Sequence, residues 1–422
     1  WRDALWLLAW LAPATAVAWW LARRARPVRR PAWRRVLALL GLVWVAWGVV
    51  SAFKGDSVEA TLRKINRVYP VAMFESYARQ QVASHQIFAV PRVAAPTAPA
   101  RADLIVLVIG ESASAQRWSL LGYGGHDTNA ALRPLQADLQ ALPVLANGNN
   151  TALALPVLLS GQGLEHLPPQ GLPTYLDWAR AAGFRVATFS NQSTSGTAET
   201  FFHAAYRQRS DWYVNLPDGE YDGALTPLLQ QALGEARESG QPLLVTLHTY
   251  GSHPRTGKRY PPERAHWDDV YDNSIAYASE LLAQWIGLLQ TEGQGRRAVL
   301  LYLSDHGLNL LDCGGNYTHG SARSAYEVPL LAWSNAAFRA AQPAWAAQLA
   351  RHAQPAPEGL PRLDNRVFAA TVADLLGYGG ATAYPSLGAP QDAPEPLLGG
   401  QPYRARAQAN ACDVRAQGGP PP

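Results

Sequence analysis

The chain has 422 residues, 48% of them hydrophobic, enough to bury a large core and leave material for a further segment. Its formal net charge is +4, with 36 Lys and Arg against 32 Asp and Glu, yet seven arginines (Arg23, Arg24, Arg26, Arg29, Arg30, Arg34 and Arg35) share one acid-free stretch. The other 29 basic residues face 32 acidic ones, so the pI near 9.0 gives no support to a nucleic-acid partner.

That basic stretch separates two charge-free apolar runs, residues 4–22 and 36–53. Each has about the 20 residues that cross a bilayer, and Trp and Arg flank both, so they read as transmembrane helices. Pro13 is tolerated in such a helix. The Arg-rich loop 23–35 belongs on the cytoplasmic side, which puts everything after Phe53 outside the cytoplasm. A first residue other than Met leads us to expect further segments upstream. Residues 54–100 form a juxtamembrane region. Within it Val58, Leu62, Ile65, Val71, Phe74 and Tyr77 have helical spacing broken at Pro70, which suits amphipathic helices at the membrane surface or ordinary packed helices equally. Residues 91–100 are a stiff Pro/Ala linker. The predicted catalytic domain spans 101–400, and 401–422 reads as a poorly ordered or surface-wrapping tail.

Within that domain, strands are predicted at 104–109, 186–189, 243–247, 298–303 and 328–332. Helices are predicted at 132–141, 171–182, 225–236, 273–289 and 366–376. Strands separated by helices argue for an α/β fold whose mostly parallel central sheet is covered on both faces. No internal repeat is present. Two of the strands end in ligand-type residues: 104–109 runs into Gly110, Glu111 and Ser112, and 298–303 into Ser304, Asp305, His306 and Gly307. Ligand chemistry in such sheets collects at strand C-termini, so the two endings suggest one shared site. Oxygen ligands from Glu111 and Asp305 with the His306 nitrogen suit zinc or manganese. A fourth group is offered by Thr151, where a polar turn (Asn147, Gly148, Asn149, Asn150) leads into an apolar helical run. A Thr there serves as a plain N-cap. Beside a metal, the same hydroxyl becomes a nucleophile. His253 and His319 also follow predicted strands and can face the same rim. His85, His126, His166, His203, His248, His266 and His352 lack that setting and read as surface or structural residues.

Taken together, Val108-Ile-Gly-Glu111-Ser112, Leu120-Leu-Gly-Tyr123, Asn150-Thr151, Gly251-Ser-His253-Pro254 with Arg259-Tyr-Pro261, Tyr271-Asp-Asn273 and Ser304-Asp-His306-Gly307 resemble the phosphoethanolamine transferases of the Gram-negative inner membrane, within the alkaline phosphatase and sulfatase superfamily. The resemblance covers residues 36–380. It implies a zinc site of Glu111, Thr151, Asp305 and His306, with Thr151 as the nucleophile that is transiently phosphoethanolaminylated. It implies that His253 and His319 are catalytic and hold the phosphate, a second metal, or the leaving and entering oxygens, and that Asn191 binds substrate. The implied partners are phosphatidylethanolamine as donor, a lipopolysaccharide or periplasmic glucan as acceptor and the lipid bilayer, with a monomeric chain and the catalytic domain in the periplasm. Residues 183–192 and 325–333 look more like the branch acting on lipopolysaccharide core sugars or glucans than the lipid A branch.

Two departures stand out. Relatives usually have Asp-His-Gly-Glu where this chain has Asp305, His306, Gly307 and Leu308, which raises the question of what orients the metal ligands. Relatives are also stapled by several disulfides, whereas Cys313 and Cys412 are the only cysteines here, as one bridge or two free thiols. Neither cysteine lies in the Cys-x-Pro-x-Arg setting of the formylglycine sulfatases. Two other readings remain beside the transferase: a membrane-anchored phosphodiesterase or phosphoglycerol transferase on the same scaffold, and a catalytically silent binding relative, to which Leu308 lends its support.

Overall fold

The computed structural model describes residues 91–162, 172–193, 197–354, 359–380, 382–390 and 392–414. The predicted transmembrane and amphipathic helices lie outside these residues, and within them no helix is long and apolar enough to cross a membrane. The chain divides into two compact units, Trp1–Val82 and Ala83–Pro422, and the description below concerns the second.

Seven strands make one sheet: β1 (Leu104–Gly110), β2 (Leu139–Leu145), β3 (Arg185–Ser190), β4 (Trp212–Asn215), β5 (Leu243–His248), β6 (Ala298–Ser304) and β7 (Glu327–Ser334), in the spatial order β2-β7-β6-β1-β5-β3-β4. Strands β6, β1, β5, β3 and β4 pair in parallel, and β7 runs antiparallel to both β6 and β2. The main helices are α1 (Thr151–Ser160), α2 (Tyr175–Ala181), α3 (Thr197–Arg209), α4 (Thr226–Ser239), α5 (Val270–Glu292), α6 (Arg366–Leu375) and α7 (Tyr403–Ala409).

Every residue of β1 is buried because helices cover both faces of the sheet, which is why the strand reads as an unbroken apolar run. Its side chains alternate. Ile105, Leu107 and Ile109 join Leu155 and Leu158 of α1, Leu176 of α2 and Phe368 of α6 in one cluster. Leu104, Val106 and Val108 join Leu229 and Leu233 of α4 and Ile275, Leu282, Ile286 and Leu289 of α5 in the other. The helical spacing of those four α5 residues keeps one stripe on the sheet. Asp269 starts α5 by accepting from the backbone N–H groups of Tyr271 and Asp272.

The expected helix at 132–141 is not there. A 3-10 turn occupies Ala130–Leu135, and Leu139 begins β2 instead. Leu132, Leu135 and Leu139 do have helical spacing, but Pro134 falls among them, and the free side of β7 offers a complete set of backbone partners from Leu139 to Leu145. Pro143 lies opposite Pro329 in that pairing, and β2 is the edge strand, where a missing N–H is tolerated. Pro329 falls one residue beyond the last β7 pair with β6, Leu330 with Leu303, so it costs that ladder nothing.

At the C-terminal end, Tyr403 and Ala407 of α7 and Val414 are buried with Leu145, Ala325 and Tyr326 in a third, smaller cluster.

Candidate active site

The register of the sheet brings distant residues to one rim. Gly110 lies beside Ser304, and His248 lies beside both Ile109 and Ser190. The residues that follow these strands, Glu111, Asp305, Asn191 with Gln192, and the turn from Thr249 to His253, therefore emerge together. The ladder extends into them through Asp305 N–H to Gly110 O (3.0 Å), Thr249 N–H to Ile109 O (3.0 Å) and Asn191 N–H to His248 O (2.8 Å). Gly251 has φ +49°, and a Cβ there would fall 2.6 Å from the Glu111 carbonyl oxygen, so only glycine lets the β5 turn lie against the β1 end.

Glu111, Asp305 and His306 are buried, with ligand atoms that all lie within 4.8 Å of one another. His306 Nε2 is 3.3 Å from Glu111 Oε1 and 3.5 Å from Asp305 Oδ2. The other ring nitrogen, Nδ1, lies 2.8 Å from the Gly307 carbonyl, an obligate acceptor, so Nδ1 carries a proton and Nε2 is the nitrogen turned toward the two carboxylates. Asp305 Oδ2 is buried and has no hydrogen-bond partner. Two carboxylates facing each other out of water, one with an orphaned oxygen, call for positive charge beside them. Burial and the Glu111 charge push the Asp305 carboxyl up to about 7. Burial opposes charge on His306, but Asp305 and Glu111 outweigh it and raise the imidazole to about 9. Burial would raise Glu111 too, yet His306 draws it well below the usual carboxylate range. The donor set, two oxygens and a nitrogen with an orphaned carboxylate oxygen, fits a zinc ion.

Thr151 joins this cluster. It is the first residue of α1, and the N-cap is Asn150, whose side chain accepts from Leu153 N–H at 3.2 Å. The plain capping role is thus filled by its neighbour. Thr151 Oγ1 donates to Glu111 Oε2 at 3.0 Å and lies 3.5 Å from His306 Nε2.

His319 packs against His306 with ring centroids 4.9 Å apart, and its Nδ1 lies 2.9 Å from the Asn149 carbonyl, which fixes a proton on Nδ1 and leaves Nε2 as the free nitrogen. His253 is held in the opposite sense. Arg259, which can only donate, places its guanidinium 3.3 Å from His253 Nδ1 and also bonds the His253 and Pro254 carbonyls, while stacking 3.8 Å over the Tyr250 ring. Its Nδ1 is therefore an acceptor, and its Nε2 carries the proton. Burial lowers the His253 pKa, with Arg259 adding to the effect against Glu111.

Asn191 sits at the same rim, but its amide donates to Glu220 O (3.0 Å) and Asp222 Oδ1 (2.8 Å). Asp222 in turn accepts from the backbone of Tyr250 and Gly251, fixing the turn that leads to His253. The next residue, Gln192, reaches the cluster: its Nε2 donates to Glu111 Oε2 (3.2 Å) and to the Thr249 carbonyl (2.7 Å). Sequence reasoning passed over Gln192, although a polar residue directly behind a buried strand was the available signal. Ser112, with φ +59°, was passed over as well. Its hydroxyl donates to Glu111 Oε1 (2.6 Å) and its N–H to Asp305 Oδ1 (3.2 Å), and His306 N–H donates to the same oxygen at 2.7 Å. Ser112, Gln192 and Gly307 thereby orient the ligands, and Leu308 is wholly buried in the apolar cluster around Trp118 and Tyr302.

The Tyr271-Asp272-Asn273 motif is scaffolding. Tyr271 hydroxyl donates to Ser112 O (2.7 Å), and Asp272 receives Arg117, Tyr123 and His126. Cys313 and Cys412 form a disulfide that joins the segment between His306 and His319 to the C-terminal end, where Arg323 N–H also bonds Ala411 O and Val414 N–H bonds Ser321 O. His248 lies under the rim, buried and held neutral by burial, with its pKa lowered to about 3. His203, His266 and His352 lie apart from the cluster in sequence and bonding, and His85 and His166 fall outside the described residues.

An α/β sheet carrying this rim is shared by a known class. Residues 103–378 match the Sulfatase family, and the chain belongs to that family. Its similarity is to phosphoethanolamine transferases, as the motifs indicated. EptA of Escherichia coli strain K12 is 29% identical over 266 residues, covering 55% of this chain and 46% of EptA. EptC of the same strain is 26% identical over 382 residues, covering 78% of this chain and 65% of EptC. The chain thus spans about half the length of the first curated relatives it matches. The zinc complex of the C-terminal periplasmic domain of Escherichia coli EptC has the same fold, with a TM-score of 0.57 at 22% identity over 70% of this chain and 87% of that domain.

Proposed function

We propose that the chain is an inner-membrane phosphoethanolamine transferase, moving phosphoethanolamine from phosphatidylethanolamine through a phospho-Thr151 intermediate to a lipopolysaccharide or periplasmic glucan. The observation that carries this reading is Thr151 Oγ1 at a helix N-terminus, 3.0 Å from Glu111 in a buried cluster that also holds Asp305 and His306. The two apolar N-terminal runs anchor the chain, and the catalytic domain, residues 101–400, lies in the periplasm.

Glu111, Thr151, Asp305 and His306 would hold a zinc ion, which when bound lowers the pKa of the Thr151 hydroxyl and offsets charge on the phosphate oxygens. Thr151 Oγ1, aimed by its hydrogen bond to Glu111 Oε2, loses its proton to solvent as it attacks phosphorus and regains one from solvent when it later leaves, and the backbone N–H groups at the start of α1 favour the incoming phosphate. The two free histidines divide the remaining work. Neutral His253, with Nδ1 already accepting from Arg259, cannot readily give up its Nε2 proton, so it donates a hydrogen bond to a non-bridging oxygen. His319, its Nδ1 held by the Asn149 carbonyl, is the group placed to give a proton from Nε2 to the diacylglycerol oxygen as the phosphorus–oxygen bond breaks. In the second half-reaction His319 Nε2 takes the proton of the acceptor hydroxyl while Thr151 leaves. Incubating the purified chain with fluorescent phosphatidylethanolamine tests this: diacylglycerol release that vanishes in Thr151→Ala supports it, and release that persists removes the nucleophile.

A further inference from the structure

The loops that carry His253 and His319 wall a cavity of about 470 Å³, whose lining includes Pro254, Arg255, Lys258, Val270, Tyr317 and Thr318. Pro254 directly follows His253 and Thr318 directly precedes His319, so the cavity borders the candidate active site without including it. Three features set it apart. Arg255 and Lys258 are exposed, and among the described residues neither side chain has an ion pair or hydrogen bond. Arg255 (φ +68°) and Tyr317 (φ +49°) are left-handed, a conformation non-glycine residues avoid unless their surroundings impose it, and among the described residues the third such residue is Ser112 beside Glu111. The rest of the lining combines Pro254, Val270 (37% exposed) and the Tyr317 ring with the small polar side chains of Thr256, Asn316 and Thr318.

Asp269, the residue before Val270, already has partners of its own. Asp269 takes the Tyr317 hydroxyl at 3.2 Å and Arg117 at 3.0 Å, and the Tyr317 ring stacks on Tyr271 with centroids 5.3 Å apart. The wall is therefore fixed, and the cavity presents two unpaired positive charges over a floor that Pro254, Val270 and the Tyr317 ring make mostly apolar, with Thr256, Asn316 and Thr318 as hydrogen-bonding groups. A phosphate monoester carries close to two negative charges at neutral pH, and its carbon body suits such a floor.

We propose that this cavity is a second phosphate subsite, which holds a phosphate group on the sugar or glycerol body of a ligand while another part of that ligand reaches the rim between His253 and His319. The inference rests on the transferase reading only for what the phosphate is attached to.

The test is calorimetric titration of the full chain in detergent with glucose 6-phosphate, with glucose as the uncharged control and dihexanoylphosphatidic acid, a monoester, as the lipid arm. Wild type is compared with Arg255→Gln/Lys258→Gln and with the charge-keeping Arg255→Lys/Lys258→Arg. Phosphate binding at the catalytic centre is common to all three proteins, so the difference between them reads the cavity. We expect glucose 6-phosphate to bind about tenfold or more weakly to the Gln pair, with affinity kept by the Lys/Arg pair and melting temperature unchanged. The same pattern with the lipid alone assigns the phosphate to a lipid headgroup. Equal affinities of all three proteins for both ligands overturn the proposal. No turnover is needed, so the outcome is independent of the Thr151→Ala result.

Discussion

Replacing Gln192 by Leu removes the one side-chain amide that ties Glu111 to the β5 turn. Gln192 Nε2 bonds Glu111 Oε2 at 3.2 Å and Thr249 O at 2.7 Å, and the residue is 6% exposed. A hydrogen bond to an ionised group contributes about 1.5–3 kcal/mol, and loss of a group that orients a metal ligand typically costs about 10- to 100-fold in affinity or activity. Leu is close to Gln in volume and leaves no large void, while the Thr151 and Ser112 bonds to Glu111 remain, so we expect the loss to fall in that range. Zinc affinity, read by competition with a chromophoric chelator, and kcat for diacylglycerol release should both fall. KM for the donor should change little, because Gln192 bonds Glu111 and the Thr249 carbonyl and touches neither His253 nor His319. Gln192→Glu, which sets a like charge against Glu111, should be worse than Leu. Unchanged zinc affinity and rate in Gln192→Leu would refute the reasoning.

Other expectations follow from the same geometry. His319→Gln should lower kcat by about 10²–10⁴-fold, the usual worth of a proton donor and acceptor, whereas His253→Gln, which keeps an N–H, should lose about tenfold; steady-state kinetics reversing that order would contradict the assigned roles. Removing metal with a chelator should destabilise the domain by about 4 kcal/mol if free zinc stands a thousandfold above its Kd, seen as a lower Tm that zinc restores. Cys313→Ser/Cys412→Ser should cost about 2–5 kcal/mol, because the bridge spans 99 residues and anchors the segment before His319; denaturant unfolding with and without reductant checks it.

The strands that carry the site were legible for a physical reason. Covered on both faces, β1 and β6 had to be apolar throughout, and their ends had to change abruptly to Glu111 and to Asp305-His306. Edge elements were not legible, since β2 and the four-residue β4 are only partly buried and their pattern is set by neighbours distant in the chain. The division between His253 and His319 was beyond the sequence as well. It depends on Arg259 meeting one Nδ1 and the Asn149 carbonyl meeting the other, and side-chain identity alone gives both rings the same chemistry. Asn191 and Gln192 show the limit most plainly: adjacent residues after the same strand point their amides to Asp222 and to Glu111.

The central claim is that Thr151 carries the phosphoethanolamine. Quenching the protein in acid after brief exposure to phosphatidylethanolamine without acceptor, then mapping its peptides by mass spectrometry, measures that directly. The account predicts the mass of one phosphoethanolamine on Thr151, absent from Thr151→Ala and discharged when acceptor is added. Diacylglycerol release with no adduct, or with the adduct on another residue, would contradict it.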